Sequence, residues 1–384
     1  MGRKQTIYII YILNFLLALS VGIPAYVNSI FLKEYAPEKF VGLIFIAGSV
    51  LSLIAFANIP RVLRVFSNFN IIITLLVLQI ILLLILSAAS TLSVIIPIFI
   101  LYWTAIPLIS FSLDLFLEAK STDETTGKTR GVFLTAANIA WVIAPAIAGF
   151  ILTNGDYWKI YIASSLFTLP VLYLACTKLK KIKEPVYDKV PFWGTLREIY
   201  NRKNVYKIFM ANILLRFFYS WMVIYTPIYL RENIGFTWNE LGIMFTIMLL
   251  PFILLELPIG RLADTKFGEK EFLTLGFIIM FVTVSILPFI TSTSFWVWAI
   301  ALFATRIGAS MVEITTETYF FKKIDGTDAH ILSIFRNNRS IAWIAGPLVA
   351  SVFLFFFDLK YLFLALGIIM LLGLKYSLTI KDTK

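Results

Sequence analysis

Two arginines, Arg216 and Arg306, stand about ten residues from either end of long apolar stretches. An ionisable side chain at the centre of a membrane helix costs about 2.5–3.5 kcal/mol, so such a residue marks a function or a buried partner. A guanidinium is a planar fork of donors that fits a carboxylate or a phosphate, so one reading is an anion site. The other is that each is neutralised by a carboxylate of the chain or by helix carbonyls. Carboxylates are present in the apolar stretches too: Asp114 and Glu118, Glu313 and Glu317, and Glu256. They fall near the stretch ends, within reach of headgroups, and suit gating or coupling ion pairs. Arg61 and Arg64 are the expected partners of Asp114 and Glu118, and Arg336 and Arg339 those of Glu313 and Glu317.

Spacing assigns these residues to faces. Arg306, Ser310, Glu313 and Glu317 share one face of a helix, and Arg216 shares one with Ser220. Asn14, Asn212, Trp141 and Trp343 complete the candidate substrate-binding set, and Tyr219 is a further aromatic for the same cavity. No carboxylate stands at a midplane position. A carrier of lipophilic cations would want one, so the deep arginines weigh against that substrate class. No metal or cofactor is expected: Cys176 is the single cysteine and His330 the single histidine. Neither a Walker loop nor a catalytic constellation is present.

The elements that position these groups follow from composition. Of 384 residues, 60% are hydrophobic and only 14% charged, at a mean hydropathy of +0.88. A water-soluble domain could not cover that much apolar surface. A spanning helix needs roughly 20 apolar residues. About twelve stretches qualify, near 8–30, 41–59, 70–88, 92–116, 131–153, 158–177, 206–230, 239–259, 272–291, 294–320, 331–357 and 360–378. The first is too long for a signal-peptide core and reads as an uncleaved span. Barrel strands are excluded, being shorter and alternating in polarity. If alternate loops face opposite sides, 26 of the 33 Lys and Arg residues fall on one side and five on the other. That asymmetry places both termini in the cytoplasm of a cell's inner (plasma) membrane. The net charge of +11 then answers anionic headgroups, with membrane lipids rather than nucleic acid as partners.

The chain also repeats itself. Ile139-Ala140-Trp141 with Pro145 recurs as Ile341-Ala342-Trp343 with Pro347, and Asp114 with Glu118 as Glu313 with Glu317. Phe31-Leu32-Lys33-Glu34 recurs as Tyr229-Leu230-Arg231-Glu232, and Asn14 as Asn212, so offsets of 198–202 recur in order. The expected fold class is therefore an all-α membrane protein of about twelve transmembrane helices in two pseudo-symmetric six-helix bundles. Residues 1–177 and 206–384 form the bundles and 178–205 a basic cytoplasmic linker. Such duplication suits alternating access around a midplane site.

Gly260-Arg261-Leu262-Ala263-Asp264-Thr265-Lys266-Phe267-Gly268-Glu269-Lys270 resembles the G-x-L-A-D-x-x-G-x-K/R loop of the major facilitator superfamily. Here Gly260 and Gly268 would give the loop its backbone freedom, Asp264 would meet a helix start, and Arg261 and Lys270 the headgroup layer. The resemblance, with the six-plus-six layout, covers essentially the whole chain. It implies a loop that stabilises an outward-facing state by linking cytoplasmic helix ends. The first half departs from the pattern, with Arg64 where the Asp is expected and Asn68 in place of Gly. Ala140, Ala144-Pro145 and Ala148-Gly149 resemble the small-residue motif of the superfamily's antiporters, while equally serving close helix packing.

The expected function is a monomeric secondary active transporter, not an enzyme, that moves a small solute with ion (proton) coupling. An anionic or polar organic substrate is preferred. The alternatives are a proton-linked multidrug or lipophile exporter and, in another class, a non-transporting membrane sensor or scramblase of the same fold. A membrane-impermeant label should reach a cysteine placed at Gly155 from outside intact cells; labelling only after permeabilisation would overturn the topology.

Overall fold

Helices are the expected answer of such a chain to hydrocarbon, because every backbone N–H and C=O must be satisfied within the segment. A computed structural model describes residues 3–120, 126–152, 155–180, 192–324, 331, 334–335 and 337–381, and among them no strand occurs. The chain divides into two units, Met1–Lys189 and Val190–Lys384.

The first unit holds α1 (Arg3–Ala25), the short α2 (Asn28–Lys33), α3 (Glu38–Val65), α4 (Asn68–Ala88), α5 (Leu92–Glu118), α6 (Thr126–Ile151) and α7 (Tyr157–Leu174). The second begins with α8 (Phe192–Asn201), inside the expected linker, of which residues 181–191 lie outside the described set. It continues with α9 (Lys203–Ile228), α10 (Trp238–Leu254), α11 (Glu256–Leu262), α12 (Glu269–Ile286) and α13 (Phe295–Lys323). The helices α14 (Asn338–Phe353), α15 (Leu359–Met370) and α16 (Leu372–Ser377) complete it. Starts are set by local chemistry: Ser67 accepts from the Asn70 N–H ahead of α4, and Thr237 and Glu240 form a reciprocal capping box on α10.

Eleven helical runs among the described residues are long and apolar enough to cross a membrane. The twelfth expected stretch, 331–357, contains α14, whose 16 residues fall short of a full crossing; residues 332–333 and 336 lie outside the described set.

The repeat seen in the sequence recurs as packing inside each unit. In the first, α1 packs on α6, α3 on α5, α4 on α5 and α4 on α7; in the second, α9 packs on α14, α10 on α13, α12 on α13 and α12 on α15. One crossing shows the residue-level correspondence. A methyl on Gly22 of α1 would lie 2.7 Å from Ala144 Cβ of α6, while one on Gly346 of α14 would lie 2.0 Å from Ser220 Oγ of α9. Both pairs sit at the repeat offsets, but the glycine is on opposite partners. Close approach is what small residues supply where lipid offers no hydrophobic drive.

The tightest backbone approach joins α12 and α13. A Cβ on Gly308 would lie 2.6 Å from the Gly276 carbonyl and 2.9 Å from the Met280 nitrogen. Backbone cannot yield as a side chain can, so Gly308→Ala should cost about 1–3 kcal/mol through forced separation of the two helices. Thermal unfolding in detergent checks this, and an unchanged midpoint would contradict the contact.

Candidate functional site

The second unit brings Arg216, Tyr219, Arg306 and Glu313 together from α9 and α13. On α9, Arg216, Tyr219 and Ser220 fall at i, i+3 and i+4 and share a face. On α13, Arg306 and Glu313 are separated by seven residues, two turns along one face. The two helices pack against each other, and the groups meet at that contact.

Arg216 is paired. Its Nη2 lies 3.1 Å from Glu313 Oε1 and 3.8 Å from Glu317 Oε1. The other oxygen of Glu313 accepts from the Tyr219 hydroxyl at 2.7 Å. Residues 216 and 219 of one helix thus hold both oxygens of one carboxylate from the next. The expected partners of Glu313 and Glu317 were on α14 or just before it. Arg336 lies outside the described residues, and Arg339 instead places its guanidinium 5.8 Å from the Trp343 ring, one turn along its own helix. The correction has a simple cause. The glutamates are on the α13 face that meets α9, and Arg216 is already there.

Arg306 differs from Arg216. It is 1% exposed, and its Nε and Nη1 have no hydrogen-bond partner among the described residues. Its guanidinium lies 4.8 Å from the Phe218 ring centre and 5.7 Å from that of Tyr219. Arg216 is also 5.7 Å from the Tyr219 ring, so one tyrosine borders both cations. A cation on a ring face gains up to about 2 kcal/mol when desolvated, less than an ionic hydrogen bond to each donor would supply. Phe218 went unnoticed in the sequence because nothing distinguishes it among 35 phenylalanines.

Other candidates are occupied by helix contacts. Asn14 Nδ2 donates to the Phe133 carbonyl at 2.7 Å, tying α1 to α6. Asn212 donates to Thr316 Oγ1 and accepts from Asn338 Nδ2, each at 3.3 Å, tying α9 to α13 and α14. The Ser220 hydroxyl bonds the Phe217 carbonyl at 2.7 Å beside Gly346, and Ser310 bonds the Ile307 carbonyl at 2.9 Å. Trp343 is buried, and Trp141 lies half-buried beside the Gly22 crossing. Neutral groups occupy the equivalent level of the first unit. Ala18 and Pro107 stand at the repeat positions of Arg216 and Arg306, and nearby Ser20 meets Thr168 at 2.7 Å.

The cytoplasmic-gate candidates are placed less simply. Arg61 donates to Asn58 on its own helix at 3.1 Å and, like Arg64, is exposed. Among the described residues neither forms an ion pair with Asp114 or Glu118. Glu256 opens α11 and is half-buried. In the loop signature, Gly268 has φ +98°, which glycine adopts without strain, and the following helix begins at Glu269. That start lies five residues past Asp264, whose side chain lies outside the described set. Gly260 faces Ile314 of α13, where an added Cβ would be 3.4 Å away, and Arg261 is exposed and Lys270 half-buried. The ion pair here is one the sequence reading missed: Glu269, 1% exposed, with Lys322 at the end of α13.

The family model described as Major Facilitator Superfamily matches residues 208–381. No curated protein matches the chain. Among solved structures the fold is similar to a crystal structure of the nucleoside transporter NupG, with TM-score 0.77 and 12% identity over 98% of this chain and 99% of that one. The likeness to that membrane transporter is one of fold.

If Asn14 is a structural tie, Asn14→Ala should lower stability by about 1–2 kcal/mol and leave solute affinity unchanged. Melting and uptake measured on one preparation check both, and a shift in affinity alone would restore Asn14 to the binding set.

Proposed function

We propose that this chain, a Major Facilitator Superfamily protein in its fold and in the sequence of its second half, is a secondary active transporter of a small organic anion. Arg306 carries the reading. A cation that is 1% exposed and holds two unpartnered donors is costly to keep unless something anionic completes it. Arg216 is already matched by Glu313 and so supports the site rather than contacting the solute first. Phe218 and Tyr219 add flat apolar walls, which suit a carboxylate or phosphate carried on an organic framework.

The working cycle is alternating access driven by an ion gradient, with protons the first candidate. A lipophilic cation would be repelled at Arg306, which disfavours multidrug export. A neutral nucleoside, the class named for the structural neighbour, would leave the charge of Arg306 unanswered, so nucleosides enter the test as the competing substrates. The chain is assigned to the cell's inner membrane with both termini cytoplasmic, on the Lys and Arg asymmetry of its loops.

Uptake into proteoliposomes should select among small carboxylates, organic phosphates, nucleosides and cationic dyes, each with and without a pH gradient. With the best anion, Arg306→Gln should lower uptake by about tenfold or more, and Arg306→Lys, which keeps charge but not the fork, should retain part of it. The same Arg306→Gln protein should melt no lower than the parent, since an uncompensated buried charge is removed. Unchanged anion uptake in Arg306→Gln, or transport confined to nucleosides or dyes, would defeat the reading.

A further inference from the structure

We propose that Tyr219 is a positioning residue of this site: its hydroxyl holds Glu313 on Arg216 and thereby leaves the buried Arg306 without a carboxylate, for the solute's anionic group to answer. The inference rests on the anion-transport reading above.

Glu313 is a carboxylate on the same helix face as Arg306, and a buried cation attracts such a group strongly. Nothing in the helix itself chooses between the two arginines. The choice is made across the α9 contact, where each oxygen of Glu313 has its own partner: Oε1 faces Arg216 at 3.1 Å and Oε2 takes the Tyr219 proton at 2.7 Å. The second bond matters most for direction. An Arg216 contact alone leaves Oε2 available to swing along α13, whereas the phenol fixes the carboxylate at both oxygens. The Tyr219 ring also lies 5.7 Å from both guanidinium groups. Arg306 then remains with Nε and Nη1 unpartnered, while Arg216 is neutralised. One hydroxyl thus keeps two chemically identical side chains in different states.

Tyr219→Phe removes the hydroxyl and keeps the ring, so both cation–ring contacts survive. Calorimetry on the full chain in nanodiscs, with benzoate and inorganic phosphate as separate probes, reads anion affinity directly. The parent should bind benzoate, and Arg306→Gln should lose that binding. Tyr219→Phe should weaken it about tenfold, as Glu313 competes for Arg306. Glu313→Gln added to Tyr219→Phe should restore it, because the amide carries no charge to compete. Glu313→Gln alone should bind at least about threefold more tightly than the parent, since Arg216 is released as well, and this variant decides the matter if the double variant does not fold.

Parent-like benzoate affinity in Tyr219→Phe, with binding still lost in Arg306→Gln, sinks the Tyr219 inference and spares the anion site. Weakening that Glu313→Gln fails to reverse would make Tyr219 a direct solute contact and also overturn the inference. Parent-like affinity in Arg306→Gln, or a parent that binds neither probe, removes the anion-site reading and this inference with it.

Discussion

A guanidinium placed within a membrane helix must find something to answer its charge, and the two deep arginines of this chain meet that demand differently. Arg216 has Glu313 and Glu317 from the neighbouring helix, with a tyrosine hydroxyl steadying the nearer carboxylate. Arg306 has two aromatic rings and no hydrogen-bond partner for Nε or Nη1 among the described residues. The first arrangement satisfies itself; the second is incomplete without a further group. That difference depends on the contact between α9 and α13, which brings Glu313 to Arg216 and Tyr219.

Elsewhere in each unit, helices are drawn together at small residues. Gly22 against Ala144 and Gly346 against Ser220 solve one crossing twice, with the glycine exchanged between partners. The halves therefore share a packing plan without sharing residues at each position. At the level of the arginines the first unit has Ala18 and Pro107, and hydroxyls such as Ser20 and Thr168 bond to each other. The repeated scaffold is common to both units, and the deep arginines stand in one of them.

Much of the architecture was legible in the chain because its signals are one-dimensional. Apolar run length marks a spanning helix, and an offset near 200 residues marks a repeat, whatever the helices later touch. The candidate site was legible only as a collection of unusual residues. Arg306 and Glu313 could be placed on one face by counting, but counting does not say which helix that face meets. Hence Arg339 looked like a partner for glutamates that Arg216 reaches, while it lies against Trp343. Asn14 and Asn212, conspicuous as polar residues in apolar runs, bridge helices, as amides in hydrocarbon can. Phe218 carried no signal at all, since a ring becomes a cation's neighbour only through packing.

The uncompensated charge of Arg306 has an electrical consequence. A full charge crossing the membrane potential changes energy by about 2.3 kcal/mol per 100 mV. When empty, the site presents one more positive charge to that field than when an anion occupies it, so voltage distinguishes the two forms. A monoanion bound at Arg306 would make its carrier locally neutral, and the loaded site would then respond to voltage less than the empty one. The membrane potential would therefore act on the return of the vacant carrier rather than on the delivery of its cargo.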